Sequence, residues 1–435
     1  MAKEKKKSGK GKKICLWVFL SILIALLLFL FITEIIARVG SSANLKLAKS
    51  FSPVKYEEQL KPKYDEENDS YYFETDRDLK VLQITDVHLG SGFSTIQKDT
   101  MAINAVATMV TTEKPDLVVV TGDIAYPVPF QGGTINNKIS ANIFATLMET
   151  LGVYWVPMYG NHDTELYSLY SREDISEFYS SPEFSYCLFK TGPEDVDGYG
   201  NSYINVKNSD GIITQTLFML DSHSYTDGDY FGALWKYDNL KDNQVDFYQN
   251  ACDKFIAENE KTIDTLYSND TEKAKELKEL YCQQNSLLFF HIPIREYREA
   301  WTEYKENGYK DTENVKHIYG TVAEKNDTIC SGVHEDKLFE TMVQHKGNMG
   351  IFCGHDHLNN FSLDYKGIRL TFGYSIDYLA YIGIMNYGLQ RGCTVINVKN
   401  DGTFDCEKFN YYDEKYQSLN GYEKEVVIMT PFPVE

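Results

Sequence analysis

Lys80-Val81-Leu82-Gln83-Ile84-Thr85-Asp86-Val87-His88-Leu89-Gly90 decides how the rest of this chain is read. Its first six residues are rich in apolar and β-branched side chains, the pattern of a buried strand. Asp86 and His88 follow directly at its carboxyl end. The same order recurs four times. Asp116-Leu117-Val118-Val119-Val120-Thr121 runs into Gly122-Asp123, and Val153-Tyr154-Trp155-Val156-Pro157 is followed by Gly160-Asn161-His162-Asp163. Ser286-Leu287-Leu288-Phe289-Phe290 leads into His291-Ile292-Pro293, and Met349-Gly350-Ile351-Phe352-Cys353 into Gly354-His355-Asp356-His357.

Helical patterns over 97–112 and 138–151 separate the first three strands. Strand–helix–strand alternation at this spacing predicts an α/β domain. Further strands are expected at 202–206 and 212–220, helices over 243–283 and 334–345, and no clear period over 164–200. Thr394-Val395-Ile396-Asn397-Val398 and Thr403-Phe404-Asp405 flank Asn400-Asp401-Gly402, a hairpin signal.

In open α/β sheets, ligands gather at the carboxyl ends of strands. Five such ends here carry imidazole, carboxylate or amide groups. Of the nine His in the chain, His88, His162, His291, His355 and His357 all fall in these short segments. One His after a strand is usually a surface or capping residue; five beside Asp86, Asp123, Asn161 and Asp163 make a site. This donor mix suits Zn, Mn or Fe rather than Ca. Two such ions ~3.5–4 Å apart can clamp both oxygens of an in-line phosphoryl displacement and lower the pKa of water. The eight Cys include no C-x-x-C pair, so a thiolate zinc site is not expected. A P-loop, a G-x-S-x-G elbow and an H-E-x-x-H helix are all missing from the sequence.

The ordered blocks Asp-x-His, Gly-Asp, Gly-Asn-His-Asp, a later lone His and Gly-His-x-His, spanning Asp86 to His357, resemble the calcineurin-like metallophosphoesterases. His291-Ile292-Pro293, Gly354-His355-Asp356-His357-Leu358-Asn359 and Gln390-Arg391-Gly392-Cys393-Thr394-Val395-Ile396 are similar to the purple-acid-phosphatase-like subgroup. Purple enzymes have a Tyr ligand on iron; Asp86-Val87-His88 keeps a His instead. The resemblance implies a four-layer sandwich, two mixed β-sheets flanked by helices. It implies two metal ions (Fe, Mn or Zn), with Asp86, His88 and His357 on the first, Asn161, His291 and His355 on the second, and Asp123 bridging. It implies His162 as general acid or charge partner, Asp163 as the group that orients it, and a bridging hydroxide attacking phosphorus in line.

Some neighbouring residues have plainer readings. Asp221-Ser222-His223 is expected to be structural. The aromatic stretch from Phe372 to Tyr387 is expected to pack in the core, and Asp356 to support its neighbours rather than ligate.

The amino terminus is of a different kind. Residues 1–13 hold seven Lys and one Glu, although the whole chain of 435 residues carries −20. Ile14 to Ile32 is uncharged, and at ~1.5 Å per residue such a helix spans roughly a ~30 Å bilayer core. A retained signal anchor and a cleaved leader, secreting the chain, both fit; the length favours the anchor. The expected organisation is a basic cytoplasmic tail (1–13), a transmembrane signal anchor (14–37), a stalk (38–78) and a catalytic domain (79–435) facing the lumen or the outside. Within that domain, 164–285 is expected to be a cap. Sequons at Asn68, Asn269, Asn326 and Asn360 fit a glycoprotein. The acidic body argues against nucleic acid as a partner. The expected activity is a phosphomonoesterase acting on a phosphorylated small molecule or phosphoprotein. The same site on a phosphodiester, or a non-catalytic membrane-anchored binding protein, are the alternatives.

Overall fold

The computed structural model describes residues 8–417 and 427–433, so most of the Lys-rich tail lies outside the described residues. A single helix, α1 (Ser8–Ala48), opens the chain, followed by β1 (Lys63–Asp65) and β2 (Ser70–Glu74). Then come β3 (Leu79–Ile84), α2 (Ile96–Glu113), β4 (Leu117–Val120), α3 (Asn137–Leu151), β5 (Trp155–Pro157) and α4 (Arg172–Tyr179). The middle holds β6 (Ser202–Lys207), β7 (Ile213–Met219), α5 (Asp242–Leu266), α6 (Thr271–Tyr281), β8 (Ser286–Phe289), α7 (Arg295–Glu306) and β9 (Val315–Tyr319). The last part holds α8 (Leu338–Val343), β10 (Met349–Cys353), β11 (Ser362–Tyr365), β12 (Ile368–Phe372), β13 (Gly392–Val398) and β14 (Phe404–Asn410).

These strands make two mixed sheets. The five-stranded sheet has the order β14-β13-β3-β4-β5, and the nine-stranded sheet β1-β2-β6-β7-β8-β10-β12-β11-β9. β3, β4 and β5 run parallel, while β13 lies antiparallel on β3 and turns back into β14 as the hairpin signal predicts. Strand alternation divides the side chains between two cores. Leu79, Val81, Leu117 and Val119 face the other sheet and pack with Leu217, Leu288 and Ile351. Leu82, Ile84, Val118 and Val120 face α2 and α3, packing with Val106, Phe144 and Leu147. On the far side of the nine-stranded sheet, Tyr248 and Phe255 of α5 and Tyr297 and Trp301 of α7 close the first core. The result is the expected four layers.

Several expectations change. The 38–78 stalk is not a free linker: β2 pairs parallel with β6, and Phe51 and Val54 are buried against the domain. Its polar composition is that of an edge hairpin, with β1 largely exposed. The 164–285 segment is not a separate cap, because β6 and β7 are interior strands of the nine-stranded sheet. The 243–283 helix is two helices, α5 and α6, and the one expected at 334–345 is only the six residues of α8. The β11–β12 hairpin turns at Lys366-Gly367, both at positive φ, without the Asn-Gly cue that announces such turns. Asn360 is buried, which removes that sequon as a glycan site.

Among the described residues, α1 is long and apolar enough to cross a membrane, by length and composition. Its last third is held by the domain. Ala37, Gly40, Ser41, Asn44 and Ala48 are buried there, while Ile14, Phe19, Leu28 and Phe31 are exposed.

Candidate metal centre

The carboxyl ends of β3, β4, β5, β8 and β10 converge where the two sheets meet. Asp86, His88, Asp123 and His357 are all buried, and one donor atom from each lies within 4.8 Å of the others. His88 Nε2 is 3.1 Å from His357 Nε2, and His357 Nε2 is 3.5 Å from Asp86 Oδ1. A second group shares Asp123. His291 Nε2 lies 3.2 Å from Asp123 Oδ2 and 3.2 Å from Asn161 Oδ1. The His355 ring centroid is 5.1 Å from that of His291, and the His355 backbone N–H donates to Asp86. All seven residues expected to hold metal are thus brought together, with Asp123 common to both groups.

The loops carrying these residues need unusual backbone. Asp86, His88, Asp123 and His355 all have positive φ, a conformation that costs side chains about 1 kcal/mol or more and collects at functional sites. Two glycines let the loops close. A Cβ at Gly160 would collide with the Asp123 carboxylate, and one at Gly354 with Thr85 Oγ1.

The electrostatics fit a cation. Burial works against the charge on Asp86 and Asp123, yet the surrounding His charges and hydrogen bonds hold both carboxyls below their ordinary range. Burial also presses His357 down, but Asp377 and Asp86 overcome it and push it up to about 10; His291, beside Asp123, rises to about 9. His88 and His355 are lowered, chiefly by burial. His355 Nε2 is buried with no hydrogen-bond partner, and Asp123 Oδ2, though 3.2 Å from His291 Nε2, makes no hydrogen bond of its own. Buried polar atoms without partners cost roughly 1–3 kcal/mol each, and a coordinated ion removes that cost. The donor set therefore fits divalent or trivalent metal.

Around the ligands lie supports that sequence reading missed. Asp377 sits 3.1 Å from His357 Nδ1 and accepts the backbone N–H groups of Leu379 and Ala380. Buried Arg391 donates to the carbonyl of Asp377 and stacks on Tyr378, fixing that loop. His291 Nδ1 meets the Thr121 carbonyl at 2.8 Å, which leaves Nε2 facing the centre.

His162 reaches the cleft, but Asp163 does not orient it. Asp163 accepts the backbone N–H groups of Asp123, Ala125 and Gly160, tying two ligand loops together. Glu165 takes the expected role: its Oε1 is 2.8 Å from His162 Nδ1. Tyr225 O–H donates to the same oxygen and accepts from Asn161 Nδ2, so His162 and Asn161 share one network. Burial lowers His162, but Asp123 and Glu165 raise it overall. A carboxylate three residues from a His carries no distinctive pattern, so Glu165 had no signal in the sequence beyond its nearness.

The plainer readings hold. Asp221 accepts from Arg172, Ser222 Oγ accepts from the Ile292 backbone, and His223 meets Gln244. Asp356 accepts from the Cys330 backbone and Asn359. Phe372, Tyr374 and Tyr378 are core, though Tyr381 reaches the cleft. Tyr126 lies beside the centre, its ring centroid 4.9 Å from that of His88, with its hydroxyl given to Gln131.

The family described as Calcineurin-like phosphoesterase matches residues 79–359. "Probable inactive purple acid phosphatase 14" of Arabidopsis thaliana is 27% identical over 330 residues, covering 71% of this chain and 73% of its own. "Probable inactive purple acid phosphatase 28" of the same plant is 24% identical over 351 residues, covering 75% and 77%. A dimetal phosphatase from Danio rerio aligns in structure over 78% of this chain and 98% of its own, at 11% identity and a TM-score of 0.45.

Proposed function

The chain belongs to the calcineurin-like phosphoesterase family, metal-dependent hydrolases of phosphoesters, and from that premise we propose that it is a phosphomonoesterase with a two-metal centre. Asp86, His88 and His357 would hold one ion, Asn161, His291 and His355 the other, and Asp123 both. The ions would supply an activated water near neutral pH and neutralise the phosphoryl oxygens. The observation that carries the reading is the buried cluster of Asp86, His88, Asp123 and His357, whose donor atoms lie within 4.8 Å of one another, with His291 Nε2 3.2 Å from the Asp123 carboxylate.

The chain's own part in the reaction falls to His162. Glu165 fixes its Nδ1, which leaves Nε2 for the substrate. As the water oxygen bonds to phosphorus and the P–O bond to the alcohol breaks, His162 would pass its Nε2 proton to the departing oxygen. Asp123 and Glu165 outweigh burial and raise its pKa, which favours the protonated form.

The plant relatives are named as probably inactive, which favours a second reading: a site that binds without turnover. The intact His162–Glu165 pair supports catalysis instead. A diester substrate is the other alternative.

Hydrolysis by the full chain in detergent decides among these. The protein is stripped of metal, resupplied with Mn, Zn or Fe, and given p-nitrophenyl phosphate and its bis-ester in parallel. We expect metal-dependent turnover, faster on the monoester. His162→Ala should lower kcat by about 10²-fold with metal content unchanged. Faster diester turnover would reassign the class, and metal binding with no turnover on either ester would favour the binding reading.

We propose further that α1 is a retained membrane anchor with the Lys-rich tail on the cytoplasmic side. Its exposed apolar surface and the basic flank support this.

A further inference from the structure

The direction in which α1 leaves the domain bears on where the metal centre works. The chain from α1 onward runs along α2 and α3 from end to end. Glu34 accepts from Thr134 and Asn136, just before α3 begins. Asn44 meets Asp99 and Thr100 in the first turn or so of α2. Beyond α1, Val54 N–H donates to Leu151, the last residue of α3, and Tyr56 donates to Pro115, past the end of α2. Both helices begin at the carboxyl ends of their strands, where the metal ligands lie. The exposed apolar part of α1 therefore projects from the same end of the domain as the metal centre.

That end also carries exposed apolar side chains. Phe93 is 67% exposed, Phe130 91% and Ile382 92%. They stand on three loops that touch: Ser94 Oγ donates to the Gln131 carbonyl, and Gln131 Nε2 donates to the Ala380 carbonyl. These loops are also one wall of the cleft, because Tyr126, Ala380 and Tyr381 line it. Exposed Phe231 and Trp235 also line the cleft. At the foot of the apolar span, Arg38 and Lys138 line one groove. The other pole, the β13–β14 turn, offers Lys399, Asn400 and Asp401.

Single exposed apolar residues are ordinary. Three on adjoining loops, beside a helix long enough to span a bilayer, have a partner of matching chemistry within reach. We propose that the loops bearing Phe93, Phe130 and Ile382 rest in the headgroup layer of the bilayer that holds α1, so that the metal centre opens at the membrane surface. The substrate is then a phosphoester displayed at that surface. This rests on the anchor reading of α1.

The test uses the full chain in phosphatidylcholine vesicles, with photoreactive p-benzoylphenylalanine in place of Ile24, Phe130, Ile382 or Asp401. Light should attach lipid at positions 24, 130 and 382 and not at 401, read by mass spectrometry of the peptides. Adducts at 24 without adducts at 130 and 382 would overturn the docked rim while leaving the anchor intact. An absence of adducts at 24 would instead remove the anchor reading beneath it. Adducts at 401 matching those at 130 would overturn the orientation.

Discussion

The two sheets supply one metal centre by different routes. The five-stranded sheet brings Asp86, His88, Asp123, Asn161 and His162 from three adjacent parallel strands joined by short crossovers. The nine-stranded sheet brings His291, His355 and His357 from β8 and β10, which are neighbours in space but about sixty residues apart in the chain. On the proposed assignment, neither sheet holds a complete set for either metal. Asp86 and His88 would need His357 from across the interface, and Asn161 would need His291 and His355. The centre is therefore a joint between sheets, and Asp123 sits at its middle.

That comparison ranks the ligands. Asp123→Ala removes the one residue common to both groups, so it should empty both positions. We expect kcat/KM to fall by at least about 10³-fold, or ~4 kcal/mol of transition-state stabilisation. His355→Ala belongs to one group only and should leave one metal per chain. Metal content by plasma mass spectrometry distinguishes them: two metals retained in the Asp123 variant would break the shared-ligand view.

Legibility followed the same division. The five-stranded sheet could be read because each strand is a continuous apolar run closed by its own ligand motif, with helices of clear period between. The nine-stranded sheet was only partly legible. β8 and β10 announced themselves through His291 and His355, but β1, β2, β9, β11 and β12 are only three to five residues long and carry no ligand motif at their ends. The site shows the same contrast. Its seven donors lie in local motifs, whereas Asp377 and Arg391 act through contacts that only folding creates; Asp377 stands twenty residues beyond the His357 it supports. Asp163 was misread for this reason. Its neighbour in sequence is His162, but its hydrogen bonds go to backbone N–H groups of two loops.

Asp377 sharpens the comparison with a smaller effect. It touches no substrate; it fixes the ring of His357, the nine-stranded sheet's contribution to the first metal position. Asp377→Asn keeps the shape and removes the charge. Metal affinity should fall by about 10-fold, at the low end for such supporting carboxylates, with the second position unaffected. Titration of the metal-free protein would show one weakened site of two; equal weakening of both would mean that the two groups do not load independently.

The mildest test is pH, and it reports on the joint itself. In the metal-free protein His357 is pushed up to about 10 and His291 to about 9, while an unfolded His titrates near ~6.5. A raised folded-state pKa stabilises the fold fully below the unfolded value and loses that contribution as pH climbs through the folded one. The metal-free Tm should therefore decline between roughly pH 6.5 and 10. The physical reason is that the protonated imidazoles stand in for the cations. His357 faces Asp86 of the other sheet at 3.5 Å, and His291 faces Asp123 at 3.2 Å. Deprotonating them leaves two buried carboxylates without a counter-charge at the sheet junction. Metal binding must displace the same protons, so at pH 7 it releases them, and affinity rises with pH over the same window. Calorimetric titration in two buffers of different ionisation enthalpy measures that release. A metal-free Tm that climbs from pH 7 to 9, or binding with no proton release, would show that the two sheet ends are held together by something other than charge at this joint.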